Sequence, residues 1–528
     1  MNTHRLFFQY VISLLLLANP MFILAQSWPK IYGDNLRAYG KDIIEGYDRG
    51  YNICGSILKD ASHFKYGWII KTDINGNVLW NKKFGDGSVE NYFLDFVITS
   101  DNSFIISGAT AQYDIEIDPL FIKLNHCGEI DWCKIFLSDG FNTAKGVISL
   151  PNGEFLGMLQ YYGGQYPNAP RISLVKMDAE GDPIWIKHIA QKDSTVHNEE
   201  GYYLYLTPDS NSLIAGSCFS PALQPYFIKT DTEGNEIWDI KWPVGNTGYA
   251  NRTVFQDNGF IYSASSFQFP GIPFIPYLLK FSNDGEVISQ FPLLGDTIVG
   301  GGSDALYLDQ DTIFYVGINW TDDPYLYTGY SDIIKTDTNG NLKIQRRLVD
   351  NLYPPRAIIK TFDSKLMILG YYYLDGNWDI YLWKMNTDLE DDTLYTQSLT
   401  YDSLCSYEIQ SDTVELDCGL FVNIDEIPTK EEYESTIKIS PNPARDWVVL
   451  KLPNVLAPGV VKLTVYDVFG REAGKHGGME AGKRGSGGIL PVNRMISLDV
   501  SSFSPGMYVA VIVDQKGTRY TGKFVVMK

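Results

Sequence analysis

Tryptophan recurs at Trp28, Trp80, Trp132, Trp185 and Trp238, at spacings of 52, 52, 53 and 53 residues. A side chain this large at one fixed interval means that the chain is assembled from copies of a single unit, each with the same surface to bury. A second ladder runs in step with the first. Lys71, Lys123, Lys176, Lys229, Lys280, Lys335 and Lys384 each follow a short apolar run and precede an Asp/Asn/Gly turn, which counts seven copies.

The first copy contains YGWIIKTDINGNVLWNKKFG, from Tyr66 to Gly85. Two β runs flank a turn, Asp73 to Asn77, and together they predict a β-hairpin. The turn glycine returns at Gly76, Gly128, Gly181, Gly234, Gly285 and Gly340, where backbone with positive φ is needed. Upstream in each copy lies another strand pair, seen in DRGYNICGS, SDNSFIISG, DNGFIYSAS and FDSKLMILG. Four short strands in about 50 residues are the signature of a β-propeller blade. The predicted fold is therefore all-β, with a seven-bladed β-propeller over residues 26–397. Trp28 to Gly33 reads like the last strand of a blade, yet it precedes the first copy, while the seventh copy loses its signal after Met385. The N-terminal strand is expected to complete the last blade or to pair beside its final strand, hiding exposed edges. The tryptophans read as packing residues between blades. The lysines read as strand residues whose stems cover neighbours while their amines reach water.

A length of 528 residues exceeds one ordinary core, and the repeat absorbs most of it. A net charge of −20, with no basic stripe in the first 430 residues, argues against nucleic-acid binding. Residues 1–25 carry Arg5, an apolar stretch to Leu24 and a small-residue exit at Ala25, and are read as a cleaved secretory signal peptide. No other segment reads as a membrane span. The six cysteines then meet an oxidising environment. Cys127 and Cys133 flank one hairpin turn, and Cys405 and Cys418 flank one short segment, so each pair is expected to bridge locally. Cys54 and Cys218 sit in apolar strand patterns and are expected to be buried free thiols.

Residues 398–436 form a connector that holds one cysteine pair and ends in an acidic linker, and residues 437–528 form a separate all-β module, predicted to be a small β-sandwich. Three motifs order this module: Pro441, Asn442 and Pro443; then Tyr466, Asp467 and Gly470; then Leu498 and Asp499 with Gly506 and Tyr508. The stretch resembles the type A C-terminal sorting domain of the Bacteroidetes type IX secretion system. The repeats before it are similar to propeller repeats found in cargo of that system. The resemblance implies the secretion machinery as a partner and export across the outer membrane. It also implies removal of the module, followed by release or attachment to surface lipopolysaccharide. This chain departs from the pattern in a Gly-rich basic insert between Glu472 and Met495, with Lys475, Lys483 and Arg484, read as a loop that could meet anionic polysaccharide.

Linear catalytic motifs are absent: six histidines form no HExxH, and neither a GxSxG elbow nor a P-loop occurs. No catalytic, cofactor or metal residue is assigned. Asp-Thr-aliphatic triplets at Asp296, Asp311, Asp392 and Asp412 resemble the acceptor motif of Bacteroidetes O-glycosylation. The first functional reading is a secreted or surface-bound module for binding or adhesion to a glycan or protein. Its ligand is expected at the central pore or on the aromatic loops Tyr161 to Pro167 and Phe267 to Pro276. Two other readings stay open: a carbohydrate-active hydrolase or lyase with carboxylates at the pore, and a structural component of the cell surface. Convergent acidic side chains near the pore would favour the enzyme.

Overall fold

The computed structural model describes residues 28–527, except 34–35, 61–63, 113–116, 138–141, 164–165, 190–198, 220–222, 243–246, 256–258, 269–274, 294–299, 321–328, 351–354, 375–376, 423–436, 453–461, 468–470, 472, 474–494 and 514–518. All regular secondary structure among the described residues is β-strand, and no helix is long and apolar enough to cross a membrane. The signal peptide, Gly470 and the basic insert with Lys475, Lys483 and Arg484 lie outside the described residues. The chain forms two compact units: residues up to Leu174 with Asp178–Gly181 and His188–Gly419, and Val175–Met177 with Asp182–Lys187 and Leu420–Lys528.

Consecutive hairpins build seven antiparallel sheets in chain order. Their first strands are Ala38–Glu45, Asn91–Ile98, Thr143–Ser149, Glu199–Leu206, Thr247–Phe255, Gly300–Asp309 and Ala357–Lys360. Each first strand touches the first strand of the next sheet, and Ala357–Lys360 touches Ala38–Glu45. The seventh sheet has three strands of its own and takes its fourth from Lys30–Tyr32, which pairs antiparallel with Asn377–Met385, Ile31 facing Tyr381.

Trp28, Trp80, Trp132 and Trp238 each lie against the turn of the following sheet. Gly181 has a φ of +77°, and a Cβ there would come within 2.8 Å of the Trp132 ring. Glycine is thus required twice over, by backbone conformation and by the close approach of the ring. Trp28 covers Gly76, Trp80 covers Gly128 and Trp238 covers Gly285 in the same manner, while Phe291 replaces tryptophan over Gly340. Two indoles also donate hydrogen bonds across this contact, Trp132 to the Ala179 carbonyl at 3.0 Å and Trp238 to the Asn283 carbonyl at 3.0 Å.

Three members of the lysine ladder, Lys71, Lys229 and Lys384, depart from expectation, because their amines do not turn to water. Lys71 is 2% exposed, and its Nζ lies 2.6 Å from the Asp48 carboxylate. Lys229 reaches Asp209 at 2.6 Å and Lys384 reaches Asp363 at 2.8 Å. The partner is the aspartate in the turn between the first two strands of the same sheet, which places it beside the third strand's lysine. In three copies a threonine two residues earlier donates its hydroxyl to that carboxylate: Thr99 to Asp101, Thr207 to Asp209 and Thr361 to Asp363. Burying an ammonium is tolerated here because a carboxylate stands against it. In the fifth copy Lys280 lies 4.1 Å from the Phe260 ring centroid.

The expected local disulfides are also replaced. The bonds join Cys127 to Cys405 and Cys133 to Cys418, while Cys54 and Cys218 are buried and free. Local pairing fails because the connector does not close on itself. It runs extended along a sheet edge: Asp412–Val414 pairs parallel with Lys82 to Phe84, and Trp80 Nε1 donates to Asp402 at 3.1 Å. That path separates Cys405 from Cys418, so one cysteine meets the turn at Cys127 and the other the outer strand at Cys133. The segment 398–418, the disulfide-bearing part of the connector, falls within the first unit.

In the second unit, Lys438–Ser440, Trp447–Lys451 and Met495–Asp499 form one sheet, and Lys462–Asp467, Gly506–Val513 and Arg519–Val526 form another. Both contribute to a single buried cluster that includes Val448, Leu450, Val465, Leu498, Ala510, Ile512 and Phe524. Several motif residues brace the turns of this unit, and Asn442 reaches across it. The Asn442 side-chain carbonyl accepts from the Val525 amide at 2.8 Å, between Pro441 and Pro443, and Asp467 accepts from the Arg471 amide at 2.9 Å. Asp499 accepts from Ser501, Leu498 is buried, and Tyr508 donates to the Ser504 carbonyl at 2.8 Å close after Gly506.

Two outcomes follow from these contacts. Asp48→Ala strands the Lys71 ammonium and lowers stability by about 3–5 kcal/mol, measured by denaturant unfolding, whereas Lys71→Met in the same background recovers much of the loss. The bonds close loops of 278 and 285 residues, so losing both costs about 5 kcal/mol, and losing one costs less because the other still closes the long loop. Reductant is expected to lower the unfolding midpoint and to open residues 398–418 to protease.

Candidate functional site

An antiparallel first strand directs alternate side chains to its two faces, and one extra residue breaks that alternation and re-aims a side chain. Such a break occurs at a corresponding place in successive sheets. Register shifts fall between Gly40 and Asp42, Phe93 and Asp95, Ala144 and Gly146, Gly201 and Tyr203, and Ala250 and Thr253. The residues within these gaps include Lys41, Leu94, Lys145, Tyr202 and Arg252, and all five line one cavity of about 330 Å³. Asp95, Tyr203, Tyr249 and Arg356 complete its described wall. Six of the seven sheets, or the residues that lead into them, therefore converge on a single cavity.

Part of the wall is cross-braced. The Arg252 guanidinium donates to the Arg356 carbonyl at 2.9 Å and to Asp42 at 3.4 Å, and it lies 4.5 Å from the Tyr203 ring centroid. Asp95 accepts from the Val147 amide of the next sheet at 3.1 Å. Burial pushes the Asp95 carboxyl well above the carboxylate range, and the neighbouring Asp42 carboxylate raises it further. The hydroxyl of Tyr205 accepts from the Thr253 amide at 3.0 Å, and burial pushes its pKa to about 12.

The remaining wall is cationic and aromatic. Burial lowers the pKa of Lys145, and Lys41 lowers it further against a weaker opposing pull from Glu200. Among the described residues no ion pair involves Lys41 or Lys145. Arg356 stands 5.1 Å from the Tyr371 ring centroid, and Lys41 stands 5.9 Å from the same ring. Tyr202 donates to Glu200 at 3.0 Å and its ring centroid is 6.5 Å from that of Tyr249.

The expected ligand sites were a pore or two aromatic loops, and the structure shows a cavity between the first strands. Residues 164–165 and 269–274 lie outside the described residues, and the described parts of Tyr161 to Pro167 and Phe267 to Pro276 do not line the wall. Sequence reading missed Lys41, Lys145, Tyr202 and Arg252. Their spacings of 104, 57 and 50 residues follow the repeat only loosely, and their residue types differ, so no ladder announces them. The disulfide cysteines form no metal site: His126 lies beside Cys127 and Cys405, whose sulfurs are bonded to each other.

A second buried group lies away from the cavity, at the start of the fourth sheet. Glu199 is fully buried, neither carboxyl oxygen has a hydrogen-bond partner among the described residues, and Arg171 stands 3.8 Å away. Burial raises its pKa to about 8 despite the Arg171 charge.

No family model matches the chain, and no curated protein matches it. Among solved structures, an ulvan lyase of polysaccharide lyase family 25 is 10% identical, with a TM-score of 0.44 over 69% of this chain and 97% of that one. A protein of unknown function from Bacteroides caccae is 11% identical, with a TM-score of 0.33 over 50% of this chain and 85% of that one. PorZ, a surface component of the type IX secretion system of Porphyromonas gingivalis, is 9% identical, with a TM-score of 0.27 over 92% of this chain and 75% of that one.

The folded pKa of Glu199 exceeds its unfolded value, so the folded state binds the extra proton between 4.5 and about 8. Stability therefore falls as pH rises through that window. Glu199→Gln is expected to melt above the wild type at pH 8 and to lose its advantage as the pH falls toward 4.5, as read by thermal denaturation across pH.

Proposed function

We propose that the chain is an exported seven-bladed β-propeller that binds a ligand in the cavity lined by its first-strand bulges. In this reading residues 26–397 form the propeller with Lys30–Tyr32 closing the last blade, 398–436 brace and link it, and 437–528 form a sorting domain for type IX secretion. The observation that carries the reading is the convergence of side chains from six sheets on one cavity, since a purely structural channel has no need to re-aim five unlike residues into one space. Support for the sorting role is the motif set itself, together with two disulfides that suit an oxidising compartment. Release or lipopolysaccharide anchoring follows the resemblance of the C-terminal module.

Binding is favoured over glycoside hydrolysis by the carboxylates. A hydrolase needs its two carboxyl groups about 5–9.5 Å apart with the scissile bond between them. Asp42 and Asp95 instead lie within hydrogen-bond reach of each other, and Arg252 and the Val147 amide already occupy them. The test uses the full chain and its Tyr202→Ala variant against arrays of glycans and proteins, with bound material examined by mass spectrometry. An intact ligand whose affinity drops about ten-fold or more in the variant, the cost of one stacked aromatic contact, fits the proposal. Cleaved material makes the protein an enzyme, and binding that ignores the cavity variants removes the site.

A further inference from the structure

Resting on the reading that the cavity is the binding site, we infer that its ligand is an acidic sugar, one bearing a carboxylate or sulfate, carried on a polyanionic glycan. The charge distribution points this way. The chain carries a net charge of −20, yet among the described residues Lys41, Lys145, Arg252 and Arg356 line this one cavity against one carboxylate, Asp95. Arg252 is answered by Asp42. Lys41 and Lys145 repel each other, and Lys145 is largely withdrawn from water. Two ammonium groups gathered by separate bulges raise the local potential and favour an incoming anion over any neutral group. The interaction gains strength because the cavity wall excludes much of the water that would screen it.

The rest of the wall suits a sugar. Tyr202, Tyr203 and Tyr249 offer ring surface next to the cations, and flat aromatic faces cover the C–H side of a pyranose while the cations take its acid. The Tyr202 phenol is held in place by Glu200 and by Ser217 at 2.8 Å, so its ring is positioned before any ligand arrives. A volume of about 330 Å³ lies at the small end of ligand sites. It accommodates one or two sugar rings and excludes a folded protein segment. Because the sugar sits in a walled site while its chain continues outward, recognition falls on a single acidic residue of the polymer.

The experiment is calorimetric titration of the full chain with a panel of acidic oligosaccharides, both uronate and sulfated, beside neutral oligosaccharides of equal length and inorganic sulfate. Acidic oligosaccharides are expected to bind with an affinity that falls as salt rises. Lys41→Ala and Lys145→Ala are each expected to weaken them about ten-fold or more, the loss of one charged hydrogen bond, while Lys145→Arg keeps most of the affinity. Melting curves of the variants confirm that they fold. Neutral sugars that bind as tightly as acidic ones, with Tyr202→Ala weakening both, would overturn the acidic class and leave the binding site standing. Binding of inorganic sulfate alone, or of no member of the panel, overturns the inference outright.

Discussion

Everything in the first unit depends on one contact, the outer-strand aromatic ring laid on the turn glycine of the following sheet. A sheet of four short strands has two faces to bury and cannot cover either by itself. Each copy therefore borrows its cover from the next. The contact of Trp132 with Gly181 recurs in other copies, with a hydrogen bond from the indole in two of them. Trp28 extends the series backward, since it lies beside the strand that completes the seventh sheet yet covers Gly76 of the first. The same handoff that joins neighbours thus also joins the last sheet to the first.

Crowding of the first strands is the consequence, and the cavity is built from it. Neighbouring first strands touch throughout the series, and a strand that kept its regular alternation there would send only small or apolar residues toward its neighbours. The bulges relieve this in five of the strands by giving each one re-aimed residue at the cavity. Arg252, Asp42 and the Asp95–Val147 contact tie four sheets together beneath the rest. Lys41, Lys145 and the tyrosines line the cavity beside these contacts.

Much of the architecture was legible because packing leaves a periodic trace. The tryptophan and glycine ladders, the hairpin turns and the surplus strand at Trp28 each had a signature in the residues, as did the all-β C-terminal module. The lysine partners were half legible: Asp48, Asp101, Asp209 and Asp363 precede their lysines by 23, 22, 20 and 21 residues, a spacing that holds both motifs without announcing that they meet. Disulfide pairing was not legible, because proximity in sequence says nothing about a connector that runs along a sheet edge far from its own repeat. The cavity was least legible of all. Lys41, Lys145, Tyr202 and Arg252 share a backbone irregularity rather than a residue type, and register shifts carry no compositional mark.

The central claim is that the N-terminal strand completes and locks the seventh sheet, and amide hydrogen exchange of the intact chain tests it most directly. If Lys30–Tyr32 is paired with Asn377–Met385, its ladder amides exchange as slowly as those of the strand it joins, and both open together near the global unfolding free energy. Amides at Lys30 to Tyr32 that exchange at the rate of an unstructured segment, while Asn377–Met385 stays protected, would contradict the account.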